Sequence, residues 1–435
     1  MIPRSGLFVL LGFLALLAAA AIWLPGLGAV WRLGLVCIAV LAILDTVLAY
    51  RSPLPEVSRK MPSSMSLATW VQVRLTLTNR EARRRLIVVV HDHYPQSFAA
   101  RDMPSTVSLP RGRFVDIAYE LRPTERGPFE FPGIELKIAS PLLLWWRRVR
   151  VPQSATVRVY PNYSTIKKLL AYEVDNHLQL AGVRMSRRRG EGIEFHQLRD
   201  YRESDSLRAI DWKATSRMSR LIAREYQDER DQQIVFVLDA GRRMLARDAE
   251  LSHFDHALNA MLLMSYVALR QGDAAGVMTV GETRRWRKPH KGMDAVNGLL
   301  NHVYDVQPEA IEIDYVAAAT ELAVRQRRRS LVVFLTNIRE EDTEDLRVAT
   351  NLLGRRHLVM LASLRERKLD EQLAEPVAGL DDALAFAATS QYLEQRREAQ
   401  NLLRAKGVFV EDCLSEDLPA AITSRYLAIK RAGML

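Results

Sequence analysis

Cysteine is nearly absent: Cys37 and Cys413 are the only two in 435 residues. Two thiols outside any CxxC pair cannot staple a fold, which excludes a disulfide scaffold, and nothing asks for an oxidising compartment. The usual catalytic signatures are also lacking. There is no GxxxxGK[ST] loop to cradle a triphosphate, no HExxH, no GxSxG elbow and no clustered Cys/His set. Gly190 and Gly192 lack the third glycine of a dinucleotide loop. Charge of one sign does not dominate: 61 Lys+Arg against 51 Asp+Glu leave +10. That is a mild bias toward anionic surfaces, and no nucleic-acid partner is expected from it. Hydrophobic residues at 48%, with 21 Gly and 18 Pro, exclude wholesale disorder and a collagen-like repeat. The length leaves room for two or three domains with cores.

What is present begins with two long apolar runs. Leu7–Leu24 carries no charge, and a second run from Leu33 to Tyr50 follows Pro25-Gly26. Each is about long enough to cross a bilayer as a helix. Ala18–Ala21 would suit a cleaved signal peptide, but the second run needs a bilayer as well, so 1–54 reads as a two-span transmembrane hairpin. Arg4 precedes the first span, Arg51, Arg59 and Lys60 follow the second, and Arg32 stands alone between them. The positive-inside bias puts both chain ends and the soluble domains in the cytoplasm. Asp45 lies inside the second run and reads as structural polarity.

Residues 55–163 alternate with period two in short segments, as in Trp70–Thr78, and turn signals recur at Asn79-Arg80, Pro110-Arg111-Gly112 and Arg126-Gly127-Pro128. That pattern predicts a small β-sandwich. His91 and His93 share a strand face but lack a third ligand, and they read as exposed strand-end residues. Residues 164–232 are polar and arginine-rich, with a basic cluster at Arg184–Arg189. From 233 to 435, buried strands alternate with amphipathic helices. This predicts an α/β domain: a parallel sheet with helices on both faces, Rossmann-like in layout. Ligands of such sheets bind beyond the carboxyl ends of the strands, where Asp239 and Thr336-Asn337 stand.

The central segment mixes alternating charge with aromatics. Its framework is Gly192, Glu194, Phe195, Leu198, Arg199, Tyr201, Asp205, Arg208, Asp211, Trp212 and Arg217. Solvated loops seldom carry Phe, Tyr and Trp so closely, so the segment reads as a packed brace between domains with compensated ion pairs. This run, with Ile210 and Glu225, resembles the hallmark of the domain-of-unknown-function 58 (DUF58) family, closely over about 190 to 230. The leading spans, Arg126-Gly127 and Val159-Tyr160-Pro161 are similar to that family's layout. The resemblance implies an α/β domain of von Willebrand factor A type in a bacterial inner-membrane protein. It also implies work beside a MoxR-type AAA+ ATPase, often with a membrane-anchored transglutaminase-like protein encoded nearby.

The metal-ion-dependent adhesion site of that wider fold is degenerate here. Asp239-Ala240-Gly241-Arg242-Arg243 replaces Asp-x-Ser-x-Ser, and Thr336-Asn337 replaces Thr-Asp. Ile313-Asp314 stands loosely where the middle Thr would be. The oxygen ligands that remain would take Mg²⁺ with Asp239 as the ligand. With the serines lost, Asp239 reads instead as a partner for Arg242, Arg243 or a backbone amide, and no cofactor is expected. The expectation is a non-enzymatic docking protein with no catalytic residues. Its partner-binding residues are Asp239, Thr336, Asn337, Arg199, Asp205, Arg208 and Asp211; its partners are a MoxR-type ATPase and membrane lipid. The rival readings are a metal-dependent hydrolase centred on Asp239, and a basic-faced binder of nucleic acid or lipid through Arg184–Arg189 and Arg325–Arg329.

Overall fold

The computed structural model describes residues 1–24, 27–80, 84–162, 194–202, 210–227 and 232–435. It divides into two compact units, Met1–Val159 and Tyr160–Leu435.

The first unit opens with strand β1 (Ile2–Pro3) and helices α1 (Ser5–Trp23) and α2 (Leu27–Arg51). Both helices are long and apolar enough to cross a membrane. Strands follow at β2 (Glu56–Lys60), β3 (Ser64–Ser66), β4 (Val71–Thr78), β5 (Leu86–His93), β6 (Phe98–Arg101) and β7 (Ser105–Leu109). The unit closes with β8 (Phe114–Pro123), β9 (Gly127–Phe131), β10 (Gly133–Ala139), β11 (Trp145–Val151) and β12 (Ala155–Tyr160). They form sheets of order β2-β4-β8-β6, β1-β11-β10-β5-β7 and β3-β12-β9. Every pairing recorded in them is antiparallel. Strand alternation buries Val73, Leu75 and Leu77 on β4 and Leu86, Val88 and Val90 on β5, so each of these strands turns one apolar face inward. Asp92 on β5 ties two of the sheets together. It accepts a hydrogen bond from the Tyr119 hydroxyl of β8 at 2.5 Å and pairs with Arg59 of β2 at 3.2 Å.

The second unit begins with an antiparallel hairpin of β13 (Glu194–Asp200) and β14 (Ile222–Gln227), with helix α3 (Trp212–Met218) between them. The two-residue strands β16 (Arg247–Asp248) and β17 (Leu251–Ser252) pair with each other. The main sheet has the order β19-β18-β15-β20-β21-β22. Its strands are β15 (Gln233–Asp239), β18 (Ala274–Val280), β19 (Arg285–His290), β20 (Leu331–Thr336), β21 (Leu358–Arg365) and β22 (Phe409–Leu414). All neighbours run parallel except the β18–β19 pair at one edge. Gly276 allows that edge to close: a Cβ there would lie 2.7 Å from the Arg287 carbonyl oxygen.

The central strands are continuous apolar runs because both faces are covered. Ile234, Phe236 and Leu238 pack with residues of α4 (His253–Arg270), α5 (Asp294–Val303) and α10 (Leu418–Arg431). Val235 and Val237 pack with residues of α6 (Tyr315–Arg325), α7 (Thr343–Gly354) and the carboxyl half of α9 (Leu380–Ala405). Helix α4 is fixed at its start by a capping box, in which Ser252 Oγ accepts the Asp255 N–H and the Asp255 carboxylate accepts the Ser252 N–H. A short helix, α8 (Arg367–Ala374), precedes α9.

Candidate functional site

β15 and β20 end side by side at Asp239 and Thr336, at the carboxyl edge of the sheet. Asp239 is 3% exposed. Its Oδ1 accepts the Gly241 N–H at 2.7 Å, and its Oδ2 accepts the hydroxyls of Thr336 at 2.5 Å and Tyr315 at 2.9 Å. Burial raises the Asp239 carboxyl above its ordinary value, while the three donors pull against that rise. Burial and the adjoining carboxylate push the Tyr315 phenol well up. Tyr315 is delivered by the start of α6, which Asp314 caps by accepting the Ala317 N–H at 2.8 Å.

Asn337 is fully buried beside this group. Its Oδ1 accepts from Arg396 Nη1 at 2.8 Å, and its Nδ2 donates to Glu366 Oε1 at 2.7 Å. Arg396, on α9, is 2% exposed. Its guanidinium also pairs with Asp412 at 2.7 Å and donates to Ser363 Oγ, to the Leu364 carbonyl and to the Ile338 carbonyl. One cation therefore binds together the ends of β20, β21 and β22.

Asp239, Thr336 and Asn337 are thus brought together as expected, but as an interior network. All three side chains are buried and hydrogen-bonded within the unit, so none of them is presented at its surface. Of the partners foreseen for Asp239, the backbone amide is the one it takes. Arg242 pairs with Glu312 at 2.7 Å, and Arg243 pairs with Asp342 and, at 3.0 Å, with Glu341. A divalent cation does not fit. Gly241 and Arg243 stand where two hydroxyl ligands are needed, both Asp239 oxygens already accept protein hydrogen bonds, and Asp314 is spent on its helix. Among the described residues, no group of three or more His, Cys, Asp or Glu could hold a metal ion. Nor is there a thiol nucleophile at this edge: burial pushes the Cys413 thiol up to about 12.

The other expected sites divide. Asp211 caps α3, its carboxylate accepting the Lys213 and Ala214 N–H groups at 3.0 Å. Trp212 and Leu198 are exposed and α3 buries no residue, so this part of the segment is not the packed loop its aromatics led one to expect. Tyr201 is half-buried and Arg217 exposed. Gly192, Asp205, Arg208 and the Arg184–Arg189 cluster lie outside the described residues, as do the side chains of Glu194, Phe195 and Arg199. His91 and His93 are half-buried rather than exposed. Their rings meet edge to face at 5.0 Å, and His93 Nε2 lies 3.4 Å from Glu135 Oε2. In the second basic run, Arg325 pairs with Glu321 at 2.8 Å and Arg329 donates to the Met434 carbonyl at 2.9 Å.

Sequence reasoning missed three features. Tyr315 follows an Asp cap and opens a helix, a position that points back over the preceding strand end. Arg396 stands with Ala399, Gln400 and Leu403 on the buried stripe of α9, where a cation is out of place unless paired. The third is an exposed limb. β21 leaves the sheet at Arg365, at the same carboxyl edge, and runs directly into α8 and α9. Along it Val377, Leu380, Leu384 and Phe386 are exposed, interspersed with Glu375, Asp381 and Asp382.

Residues 197–389 match the family described as "Protein of unknown function DUF58". The chain is also similar to "Uncharacterized protein YeaD" of Bacillus subtilis (strain 168), at 23% identity over 265 residues, covering 60% of this chain. The match spans 62% of that relative's length, under two thirds of it. Among solved structures, an aerotolerance-related membrane protein from Bacteroides fragilis NCTC 9343 matches 47% of this chain and 100% of its own. Its identity is 14% and its TM-score 0.28. Proximal thread matrix protein 1 from the mussel byssus matches 47% of this chain and 46% of its own, at 12% identity and a TM-score of 0.26.

Proposed function

We propose that this chain is a membrane-anchored accessory protein without chemistry of its own, whose von Willebrand A-like α/β unit docks a cytoplasmic partner. The two apolar helices are its spans, and both chain ends lie in the cytoplasm, following the excess of positive charge outside the Pro25-Gly26 connection. The DUF58 resemblance makes the partner a MoxR-type AAA+ ATPase, with a transglutaminase-like membrane protein as a further member, in envelope protein assembly or maturation.

The observation that carries the docking reading is the limb formed by α8 and the start of α9. Exposed Leu380 and Leu384, one helical turn apart, lie with Val377 and Phe386 in an acidic setting. Contiguous apolar surface rimmed by charge is how interaction sites present themselves on soluble domains. The buried network beneath, from Asp239 to Arg396, holds the strand ends from which this limb departs. A metal-dependent hydrolase at Asp239 finds no support in the donor set.

Recovery of a MoxR-type ATPase from the same organism, by pull-down with the detergent-solubilised full chain, tests the reading. Leu384→Glu should lose most of the partner, whereas Asp239→Asn should keep it. Equal recovery by Leu384→Glu and the unaltered chain defeats the limb as the docking surface.

A further inference from the structure

A carboxylate stands inside the second apolar helix, and its contacts show what it is for. Asp45 is 0% exposed and lies six residues before Arg51, about 9 Å along the axis from the charged end of α2. It accepts three hydrogen bonds from the turn joining β10 and β11: Ser140 Oγ at 2.5 Å, the Leu142 N–H at 2.8 Å and the Leu144 N–H at 3.2 Å. The same turn climbs further up the helix. Trp145 Nε1 donates at 3.2 Å to the carbonyl of Ala42, nine residues and about 14 Å from Arg51. Lower down, Arg147 donates to the carbonyls of Ala49 at 2.8 Å and Ser52 at 3.2 Å, closing the helix end.

We propose that the Ser140–Trp146 turn enters the bilayer beside α2 as a third membrane element, its tip residues Leu142 and Leu143 facing acyl chains. The inference rests on the reading of α1 and α2 as spans. Irregular backbone survives in hydrocarbon only where its polar groups find internal partners, and in this turn every N–H from Ser140 to Trp145 has one. Besides the two amides held by Asp45, Ser140 N–H donates to the Trp145 carbonyl at 2.9 Å and Leu143 N–H to the Ser140 carbonyl at 3.0 Å. Trp145 N–H donates to Ser140 Oγ at 2.9 Å, and the Leu144 carbonyl accepts from the Arg4 N–H at 2.9 Å. Pro141 has no N–H to satisfy. The tip side chains are the apolar ones left outward: Leu142 is 44% exposed and Leu143 42%. The occupant of that surface is the lipid already around the spans, because the turn is continuous with them. Asp45 is then the acceptor that makes a non-helical segment tolerable at this depth.

Nitroxide labels with oxygen and nickel-chelate accessibility test it on the full chain in phosphatidylcholine vesicles. Cys37, exposed on α2, reports the span itself in a Cys413→Ser background. In a Cys37→Ser, Cys413→Ser background, labels go at Leu142→Cys, at Leu143→Cys and at Arg111→Cys on the β7–β8 turn. Leu142 and Leu143 should match Cys37, with an oxygen-to-nickel ratio several-fold above that at Arg111. Ratios at both leucines equal to that at Arg111, with Cys37 still lipid-like, overturn the inserted turn and leave the spans standing. A water-like ratio at Cys37 itself overturns the spans and the turn together. Asp45→Ala should shift the Leu142 label toward nickel access while leaving a label at Cys37 unmoved.

Discussion

Tyr315 and Asp239 stand 76 residues apart in the chain, and the tyrosine hydroxyl donates to the carboxylate at 2.9 Å. Thr336 donates to the same oxygen, and the two hydroxyls are themselves within hydrogen-bonding distance at 2.8 Å. The carboxyl ends of β15 and β20 and the start of α6 are thereby locked at one point.

Removing the carboxylate should therefore be felt as lost stability. Asp239→Ala leaves the Gly241 amide and two buried hydroxyls without their acceptor, at about 1–3 kcal/mol each for groups that find no substitute. Asp239→Asn keeps one acceptor for Gly241, and the hydroxyls can rotate to meet the new amide. Thermal unfolding in detergent should place Asp239→Ala well below the unaltered chain and Asp239→Asn between them.

The same residue sets a pH slope. Burial holds the folded Asp239 carboxyl above its ordinary value of 3.8, so the folded state binds that proton more tightly than the unfolded one. Its contribution favours folding while the proton is on and declines as pH rises above the unfolded value through the folded one. Asp239→Asn lacks the proton. The stability of the unaltered chain relative to this variant should fall as pH is raised, measured by denaturant unfolding at several points upward from pH ~4.

Gly241 is required by space. A Cβ there would meet Ile313 Cγ1 at 2.7 Å and the Ile311 carbonyl oxygen at 2.9 Å. Because the Gly241 amide also serves Asp239, the loop cannot move away without breaking that bond. Gly241→Ala should cost about 1–3 kcal/mol, as overpacking does. An unchanged melting temperature would show that the loop has room to give.

Arg396 should be among the most sensitive positions. Arg396→Met leaves Asp412, paired with it at 2.7 Å, as an uncompensated carboxylate, a loss of about 3–5 kcal/mol for a buried pair. Pairing Arg396→Met with Asp412→Asn should recover part of that loss. Arg396→Lys should not substitute, since one ammonium cannot reach the carbonyls, the hydroxyl and the carboxylate together. Denaturation midpoints of the unaltered chain, Arg396→Met, Asp412→Asn and the double variant, read as a double-mutant cycle, check the coupling.

Much of the second unit was legible because its signals are local. Gln233–Asp239, Leu331–Thr336 and Leu358–Arg365 are short apolar runs ending in polar residues, and His253–Arg270 and Leu418–Arg431 are amphipathic helices between and after them. The meeting of Asp239, Thr336 and Asn337 at the carboxyl edge could be read as well. What could not be read was the direction of its side chains. Asp239 and Asn337 look available in a linear string, because the groups that occupy them, Tyr315 and Arg396, arrive from elements tens of residues away. The limb was missed for the converse reason: its leucines have helical spacing, which ordinarily marks a face turned inward. In the first unit, Asp45 was visible as a polar residue in an apolar run, but its acceptor role depends on a β-turn nearly a hundred residues downstream.

The grip of that turn on α2 also has a mechanical meaning. Asp45, Ala42 and Ala49 are held at three heights along the helix by Ser140, Trp145 and Arg147 of one β-hairpin. A rod clamped at three levels cannot swivel inside its clamp. Any roll or tilt of this apolar helix would be passed as torque to β10 and β11, and through their pairing with β5 to the strand that carries Asp92.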